Sequence, residues 1–239
     1  MIYSQKLIQI PQLTGTEVEW ELRHGALILD TRETKQFASF HISGALQIGL
    51  LGSFASWAAV LIEPSQKLVL VTDSANRAQE AQNRLARVGL KEVVGYTLAD
   101  KKRWQQDGIK LAGLTTHAGE KFRHQLQKDH SLQLIDVRSS AEWLKGHLPG
   151  ALSMPLLEIH SKIRSLDNSK PTLVYCEEGY RATIAASILL RNEFPDVSVL
   201  VGGIGGWETD EHAVSGESQA TSLQYSVNFP RMARITSRS

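Results

Sequence analysis

The chain has a single cysteine, Cys176, and its sequence surroundings are those of a reactive group. One thiol cannot form an intramolecular disulfide or a multi-thiolate metal site, so it is either a buried apolar residue or a nucleophile. It directly follows the apolar run Thr172–Tyr175 and precedes, after a short loop, the helix-forming run 182–191. Because the first amides of a helix favour an anion, this pattern predicts a nucleophilic thiolate.

The residues after the cysteine form the predicted active-site loop and start its helix, with Tyr180 between Gly179 and Arg181. Gly179 lets the loop turn without a side chain that blocks the amides. Arg181 adds a permanent positive charge that can pair with an oxyanion or orient a loop carboxylate. Glu177 and Glu178 act in the opposite sense, because carboxylates beside the nucleophile oppose thiolate formation and repel anionic substrates.

An internal repeat shows which elements position this loop. Residues 26–46 match residues 132–152 at a constant offset, so that Asp30 pairs with Asp136 and His41 with His147. A second block pairs residues 68–77 with 172–181. Each copy is about 105 residues long. Copies of this length predict two domains, because the repeats of solenoid proteins run roughly 20 to 50 residues.

Each copy alternates strand-like and helix-like segments. Short apolar runs without period-2 polarity are typical of strands buried on both faces, and they occupy residues 26–29, 68–71, 132–137 and 172–175. Thr16 and Glu19 are predicted to form a capping box. The helix after the second run places Ala78, Ala81, Leu85 and Val88 on one face.

The predicted fold class is α/β, with two domains that each contain a mostly parallel sheet flanked by helices. We predict one domain over 1–110, a linker near 108–116, a second domain over 117–213 and a polar tail over 214–239.

Four sequence blocks of the second copy, in order, resemble the rhodanese family. They are Leu-Ile-Asp-Val-Arg at 134–138, Gly-His-Leu-Pro-Gly-Ala at 146–151, Cys-x-x-Gly-x-Arg at 176–181 and Gly-Gly-x-x-Gly-Trp at 202–207. The first copy keeps the Asp-x-Arg and His-x-x-Gly-Ala blocks, so the resemblance covers most of the chain.

The resemblance implies a tandem rhodanese-like sulfurtransferase. In that family pattern Cys176 accepts a sulfane sulfur, holds it as a persulfide and passes it to a thiol or cyanide-like acceptor. The donor would be thiosulfate, a polysulfide, or a persulfide on a thiol or a protein. Glu177 and Glu178 make a neutral or protein-borne persulfide at least as good an expectation as thiosulfate.

The first copy carries Thr72 at the position of Cys176. A threonine hydroxyl without a general base is far too weakly acidic to replace a thiolate. The resemblance therefore implies a catalytically silent amino-terminal domain that braces or lines the active pocket.

Four residues of the second copy are predicted to support the site rather than to react. Asp136, Arg138 and His147 have counterparts in the first copy, which lacks the nucleophile, so we interpret them as bracing the fold. Trp207 and the glycines that precede it are predicted to shape the pocket wall.

Two segments, 52–62 and 179–187, look like the paired rhodanese domains that follow a metallo-β-lactamase domain in persulfide dioxygenase-type fusions. The chain contains no His-x-His-x-Asp-His or His-Glu-x-x-His cluster, so neither a metal centre nor a cofactor is expected. A stand-alone protein and a piece of a longer fusion both remain open.

Charge and hydropathy exclude several other classes. A formal net charge of +1 gives no field that would steer the chain to nucleic acid or to an anionic membrane. The longest apolar stretches fall short of the roughly 20 residues of a membrane span. The first residues do not have the charged and then apolar pattern of a signal peptide, so a cytoplasmic location is expected.

Two alternative functions remain open. A dual-specificity phosphatase of the cell-cycle type shares the fold, but its pattern has five residues between cysteine and arginine, whereas four stand between Cys176 and Arg181 here. The shorter loop suits one sulfur atom better than a phosphate group. The other alternative is a non-catalytic interaction or sulfur-sensing module, since the first copy keeps the fold without a nucleophile.

Overall fold

The computed structural model of the protein describes residues 10–119, 122 and 131–207, so the predicted tail lies outside the described residues. No helix in the described part of the chain is long and apolar enough to cross a membrane.

The first domain is built on a sheet of four parallel strands in the order β3 (Leu46–Gln47), β1 (Leu27–Asp30), β4 (Leu68–Thr72) and β5 (Val93–Leu98). Its central strands are apolar on both faces and fully buried, which requires helices on each side. Gln12 extends the sheet beside β5 through a parallel bridge to Tyr96. The elements of this domain are α1 Gly15–Arg23, β1 Leu27–Asp30, α2 Thr34–Ser39, β2 His41–Ile42, β3 Leu46–Gln47, α3 Phe54–Leu61, β4 Leu68–Thr72, α4 Ala75–Arg87, β5 Val93–Leu98, α5 Lys101–Gln106 and β6 Leu111–Ala112.

The second domain contains a sheet of five parallel strands in the order β7 (Thr115–His117), β11 (Val197–Leu200), β10 (Thr172–Tyr175), β8 (Gln133–Asp136) and β9 (Leu152–Ser153). Read from its other edge, the run β9-β8-β10-β11 repeats the order β3-β1-β4-β5 of the first domain. Cys176 directly follows β10, which lies between β8 and β11. The elements are β7 Thr115–His117, β8 Gln133–Asp136, α6 Ser140–Lys145, β9 Leu152–Ser153, α7 Ile159–Lys162, β10 Thr172–Tyr175, α8 Tyr180–Arg191 and β11 Val197–Leu200. The predicted α/β class with two sheet-and-helix domains is confirmed.

Two details of the sequence prediction need correction. The capping box of α1 is formed by Thr14 and Glu17, not by Thr16 and Glu19. The sequence contains both Thr-x-x-Glu patterns, and the helix begins at Gly15, which puts Thr16 inside the first turn. On α4, Ala78, Ala81 and Leu85 are buried as predicted, whereas Val88 follows the last helical residue and is 37% exposed.

The interval predicted as a linker contains ordered strands. β6 pairs antiparallel with β2 of the first domain, and β7 joins the sheet of the second domain. Only Gly113 and Leu114 separate the two strands.

Helix α8, which begins next to Cys176, is enclosed by both domains. All of its residues from 182 to 189 are buried, and a helix buried at eight consecutive positions is covered on every face. Its own sheet covers one side. Strand β3 of the first domain covers the other side, where the backbone amide of Gln47 donates to Ser187 Oγ at 3.0 Å. The Arg191 guanidinium donates to the Gly44 carbonyl at 3.0 Å.

Candidate active site

The thiol of Cys176 lies at the amino terminus of α8, directly after β10. Its Sγ accepts hydrogen bonds from the Gly179 amide at 3.1 Å and from the Ala182 amide at 3.4 Å. The residue is only 1% exposed. We call these two amides the sulfur cradle. Backbone amides and a helix amino terminus both stabilise negative charge, so the cradle is the kind of position at which proteins bind an anion.

Gly179 is the residue that keeps the cradle open. It caps α8 with φ at 106°, in the left-handed region, and it has no side chain that could accept the helix amides. A serine or aspartate at such a cap would accept a hydrogen bond from an amide of the first turn. The conformation expected from the glycine is therefore present, and the first-turn amides are left to the sulfur.

The glycine run after β11 supports the loop from behind. The Ile204 amide donates to the Cys176 carbonyl at 2.9 Å, and a Cβ on Gly203 would overlap the Glu177 carbonyl. Trp207 packs edge-on against Phe122 with ring centroids 5.8 Å apart. These residues contact the loop backbone and the local core, and their role as a pocket wall stays a prediction.

Both arginines near the sulfur are paired with carboxylates. Arg181 donates to the two carboxylate oxygens of Glu142 at 2.8 and 2.7 Å. Those hydrogen bonds hold the pKa of Glu142 well below its usual range. Arg138 contacts the half-exposed carboxylate of Glu177 at 3.4 Å. Arg181 therefore has its partner on α6 and not within the loop.

Glu142 is a site residue that the sequence analysis missed. It is the third residue of α6, where its carboxylate also completes a capping box with Ser139. The Ser-x-x-Glu pattern was a visible signal of the cap, but nothing in it indicates a second partner 39 residues further along the chain.

Asp136 and Arg138 form a buried ion pair beneath the loop, with Nη2 to Oδ2 at 2.8 Å. The guanidinium also donates to the Gly146 carbonyl at 2.7 Å, which ties the end of β8 to the end of α6. The first domain contains the same arrangement in Asp30 and Arg32, whose guanidinium donates to the Phe40 carbonyl at 2.8 Å. The repetition supports a bracing role.

The two histidines also occupy matching positions. His147 stacks on Trp143 at 3.5 Å, and its Nδ1 lies 3.1 Å from the Trp143 carbonyl. His41 stacks on Phe37 at 3.8 Å in the first domain, with Nδ1 2.9 Å from the Phe37 carbonyl. Each ring is held by the helix that precedes it, which agrees with a structural role.

The remaining loop residues point in different directions. Glu178 is exposed, whereas Tyr180 reaches the first domain, where its hydroxyl donates to the Gly49 carbonyl at 2.8 Å. Tyr175 is buried below the cysteine and accepts a hydrogen bond from the Leu148 amide at 3.1 Å. Burial raises the pKa of Tyr175 above its ordinary value.

Among the described residues, no group of three or more His, Cys, Asp or Glu could hold a metal ion.

The chain is similar to known proteins along most of its length. The family model of the rhodanese-like domain matches residues 15–107 and again residues 120–210. The Bacillus subtilis (strain 168) protein YrkF, which bears a sulfur-carrier name, is 31% identical over 88 residues, 37% of this chain and 48% of YrkF. The chain thus spans about half the length of that relative.

Two further similarities cover other shares of the chain. Thiosulfate sulfurtransferase GlpE of Pseudomonas fluorescens (strain SBW25) is 32% identical over 97 residues, which are 40% of this chain and 89% of GlpE. The crystal structure of a thiosulfate sulfurtransferase from Pseudomonas aeruginosa matches 84% of this chain and 43% of its own, with 21% identity and a TM-score of 0.38.

Proposed function

The chain belongs to the rhodanese-like domain family, and from this premise we propose that it is a sulfurtransferase in which Cys176 carries the sulfur as a persulfide. The observation that carries the proposal is the sulfur cradle, in which the Gly179 and Ala182 amides both point at Sγ. The cradle stabilises a thiolate at this position before the sulfur is accepted and again after it is passed on.

Both half reactions exchange one sulfur between nucleophiles without net oxidation. The Cys176 thiolate attacks the outer sulfur of a donor R–S–SH, the donor S–S bond breaks, and R–S⁻ leaves with the electron pair. The acceptor nucleophile then attacks the outer sulfur of the Cys176 persulfide. That S–S bond breaks, the acceptor keeps the sulfur, and the thiolate returns to the cradle.

The first domain is proposed to be catalytically silent. Thr72 stands at the end of β4, and its hydroxyl contacts the Ser74 carbonyl at 3.5 Å. The Ser74 hydroxyl in turn accepts from the Arg77 amide at 3.3 Å. A hydroxyl replaces the nucleophile, and the Ser74 side chain already accepts the amide of the third helical residue, the helix position from which Ala182 donates to sulfur in the second domain.

The charges around the cradle favour a persulfide donor over thiosulfate. Glu177 and Glu178 bring two carboxylates to the loop, and the guanidiniums of Arg138 and Arg181 are already bound to carboxylates. A doubly charged oxyanion therefore finds no uncommitted arginine among these groups. The sulfur-carrier name of YrkF supports a persulfide-carrying protein as one exchange partner, besides small thiols and cyanide-like acceptors.

Intact mass spectrometry tests the proposal directly. After incubation with thiosulfate, a polysulfide or glutathione persulfide, the protein should gain one sulfur, about 32 Da, and lose it on addition of cyanide or a small thiol. Cys176→Ser should not gain it, whereas Thr72→Ser should behave like the wild type.

Other outcomes would point to other functions. Failure to gain sulfur from every donor would contradict the proposal and favour a binding or sensing module. Hydrolysis of an aryl phosphate that disappears in Cys176→Ser would instead support the phosphatase.

A further inference from the structure

The side chain of Tyr180 enters a narrow gap in the first domain. Its hydroxyl donates to the Gly49 carbonyl at 2.8 Å, and its ring lies against Gly49 and Gly52. A Cβ on Gly52 would overlap the ring, and one on Gly49 would come within 3.2 Å of ring Cε2. Neither glycine has a positive φ, so each provides room for the ring and not a special turn. We call this gap the glycine slot.

The glycine slot is held in place from within the first domain. Arg84 on α4 donates to the Leu50 carbonyl at 2.6 Å and to the Gly52 carbonyl at 3.3 Å. Burial in the slot raises the pKa of Tyr180 to about 12, so its hydroxyl stays protonated and keeps donating at physiological pH.

Tyr180 lies between the two residues of the sulfur cradle in the sequence. The Gly179 amide precedes it and the Ala182 amide follows two positions later, in the first turn of α8. Fixing the Tyr180 ring therefore fixes the backbone that aims both amides. The anchor belongs to the other domain, 131 residues away along the chain.

The internal repeat does not duplicate this anchor: the second copy lacks the two glycines, and the first copy lacks the tyrosine. At the offset that relates Asp30 to Asp136, the positions of Gly49 and Gly52 carry Pro155 and Glu158. At the offset that relates Thr72 to Cys176, the position of Tyr180 carries the exposed Asn76. A ring and its slot are thus present only where they join the cysteine loop to the first domain.

We propose that Tyr180 is a positioning residue, which holds the sulfur cradle in register by anchoring it in the glycine slot of the first domain. The first domain then takes part in activating Cys176 through this anchor. The consequence for sulfur transfer rests on the proposed function, but the effect on the thiolate does not.

The thiolate itself provides the readout. Because Cys176 is the only cysteine, the absorbance at 240 nm minus that of the matching Cys176→Ser protein reports this thiolate alone. We expect Gly52→Ala and Tyr180→Ala to raise the pH at which half of this signal is lost on acidification by about one unit, and Tyr180→Phe by about half as much. The charged groups around the sulfur are unchanged in these variants; they are Asp136, Arg138, Glu142, Glu177, Glu178 and Arg181.

A double variant separates the anchor from general damage. Gly52→Ala harms the cradle only by displacing the ring, so adding it to Tyr180→Ala should produce no further shift. Gly113→Ala is the matched control, because its new Cβ would meet only the Ala38 and Ser39 carbonyls, and it should leave the midpoint unchanged.

Each result supports or overturns the proposal. Unchanged midpoints in Tyr180→Ala and Tyr180→Phe would overturn it, even if Gly52→Ala failed to fold. An equal shift from Gly52→Ala with and without the Tyr180 ring would also overturn it. If the midpoints shift as expected while the wild type accepts no sulfur from any donor, the positioning role stands and the proposed function fails.

Discussion

Two loops of the molecule, after β4 and after β10, share their place in the sheet but differ in what fills the amino terminus of the following helix. After β4, the Ser74 hydroxyl accepts a hydrogen bond from the Arg77 amide and so caps the helix in the usual way. After β10, Gly179 provides no cap, and the amides bind Cys176 Sγ instead. The difference teaches that the amides at the start of α8 reach the Cys176 thiol because no side-chain cap accepts their hydrogen bonds.

The parts that support the two loops are otherwise alike. Each domain has an Asp–Arg pair under the loop and a histidine stacked on an aromatic ring. One supporting position differs: Glu142 pairs with Arg181, whereas Gln36 at the matching position donates to Asp73 at 3.1 Å. The two domains therefore share a framework and differ in the loop and in its side-chain partners.

The largest effect is expected from moving the cysteine between the loops. Thr72→Cys combined with Cys176→Ser keeps one cysteine at the end of a buried parallel strand, but the Ser74 hydroxyl already accepts the amide of the third residue of the following helix. We expect sulfur transfer at least about a hundredfold slower than in the wild type, measured as thiocyanate formation from cyanide. Recovery to within tenfold would show that the strand end suffices and that the cradle is unnecessary.

Gly179→Ala should weaken the cradle without removing the thiol. An alanine at φ of 106° is strained, and relief of that strain would rotate the amide away from Sγ. We expect about a tenfold to hundredfold loss of transfer rate. Gly89→Ala, at φ of 89° in the first domain, introduces a comparable strain and should lower thermal stability without lowering the rate. Equal rate losses in both variants would argue against the cradle.

Glu142→Gln should give the second domain the side chain that the first domain has at this position. Because Arg181 lowers the Glu142 pKa, the pair stabilises the fold fully above the unfolded pKa of about 4.3 and loses this effect as the pH falls toward the folded value. We expect a loss of about 1 kcal/mol in unfolding free energy at pH 7. The difference in unfolding free energy between the variant and the wild type, measured by denaturant titration, should be smaller at pH 3 than at pH 7. A difference that does not change with pH would contradict the ion-pair account.

The smallest effect concerns the donor. Glu177→Ala with Glu178→Ala removes two carboxylates beside the nucleophile and should lower the KM for thiosulfate by about threefold to tenfold, with less change for a neutral persulfide. Glu63→Ala with Glu92→Ala removes the same charge from exposed positions of the first domain and should leave both values unchanged. An unchanged KM for thiosulfate in the loop variant would contradict the donor argument.

Much of the fold could be predicted because its signals are local. Apolar runs such as Thr172–Tyr175 predict buried parallel strands, and the repeat predicts two related domains. The predicted capping box of α1 was wrong because Thr14 and Thr16 both begin a Thr-x-x-Glu pattern, and the local spacing does not distinguish the two.

The sequence by itself determined that the chain has two related α/β units, one candidate nucleophile and one loop without it, since these follow from periodicity, repetition and residue type. The tertiary structure decided which distant groups contact the loop and helix that follow Cys176. Glu142 meets Arg181 across 39 residues, and Tyr180 meets Gly49 across 131. Such contacts depend on how the helices pack on their sheets and how the domains dock, and the spacing of residues along the chain does not encode that geometry.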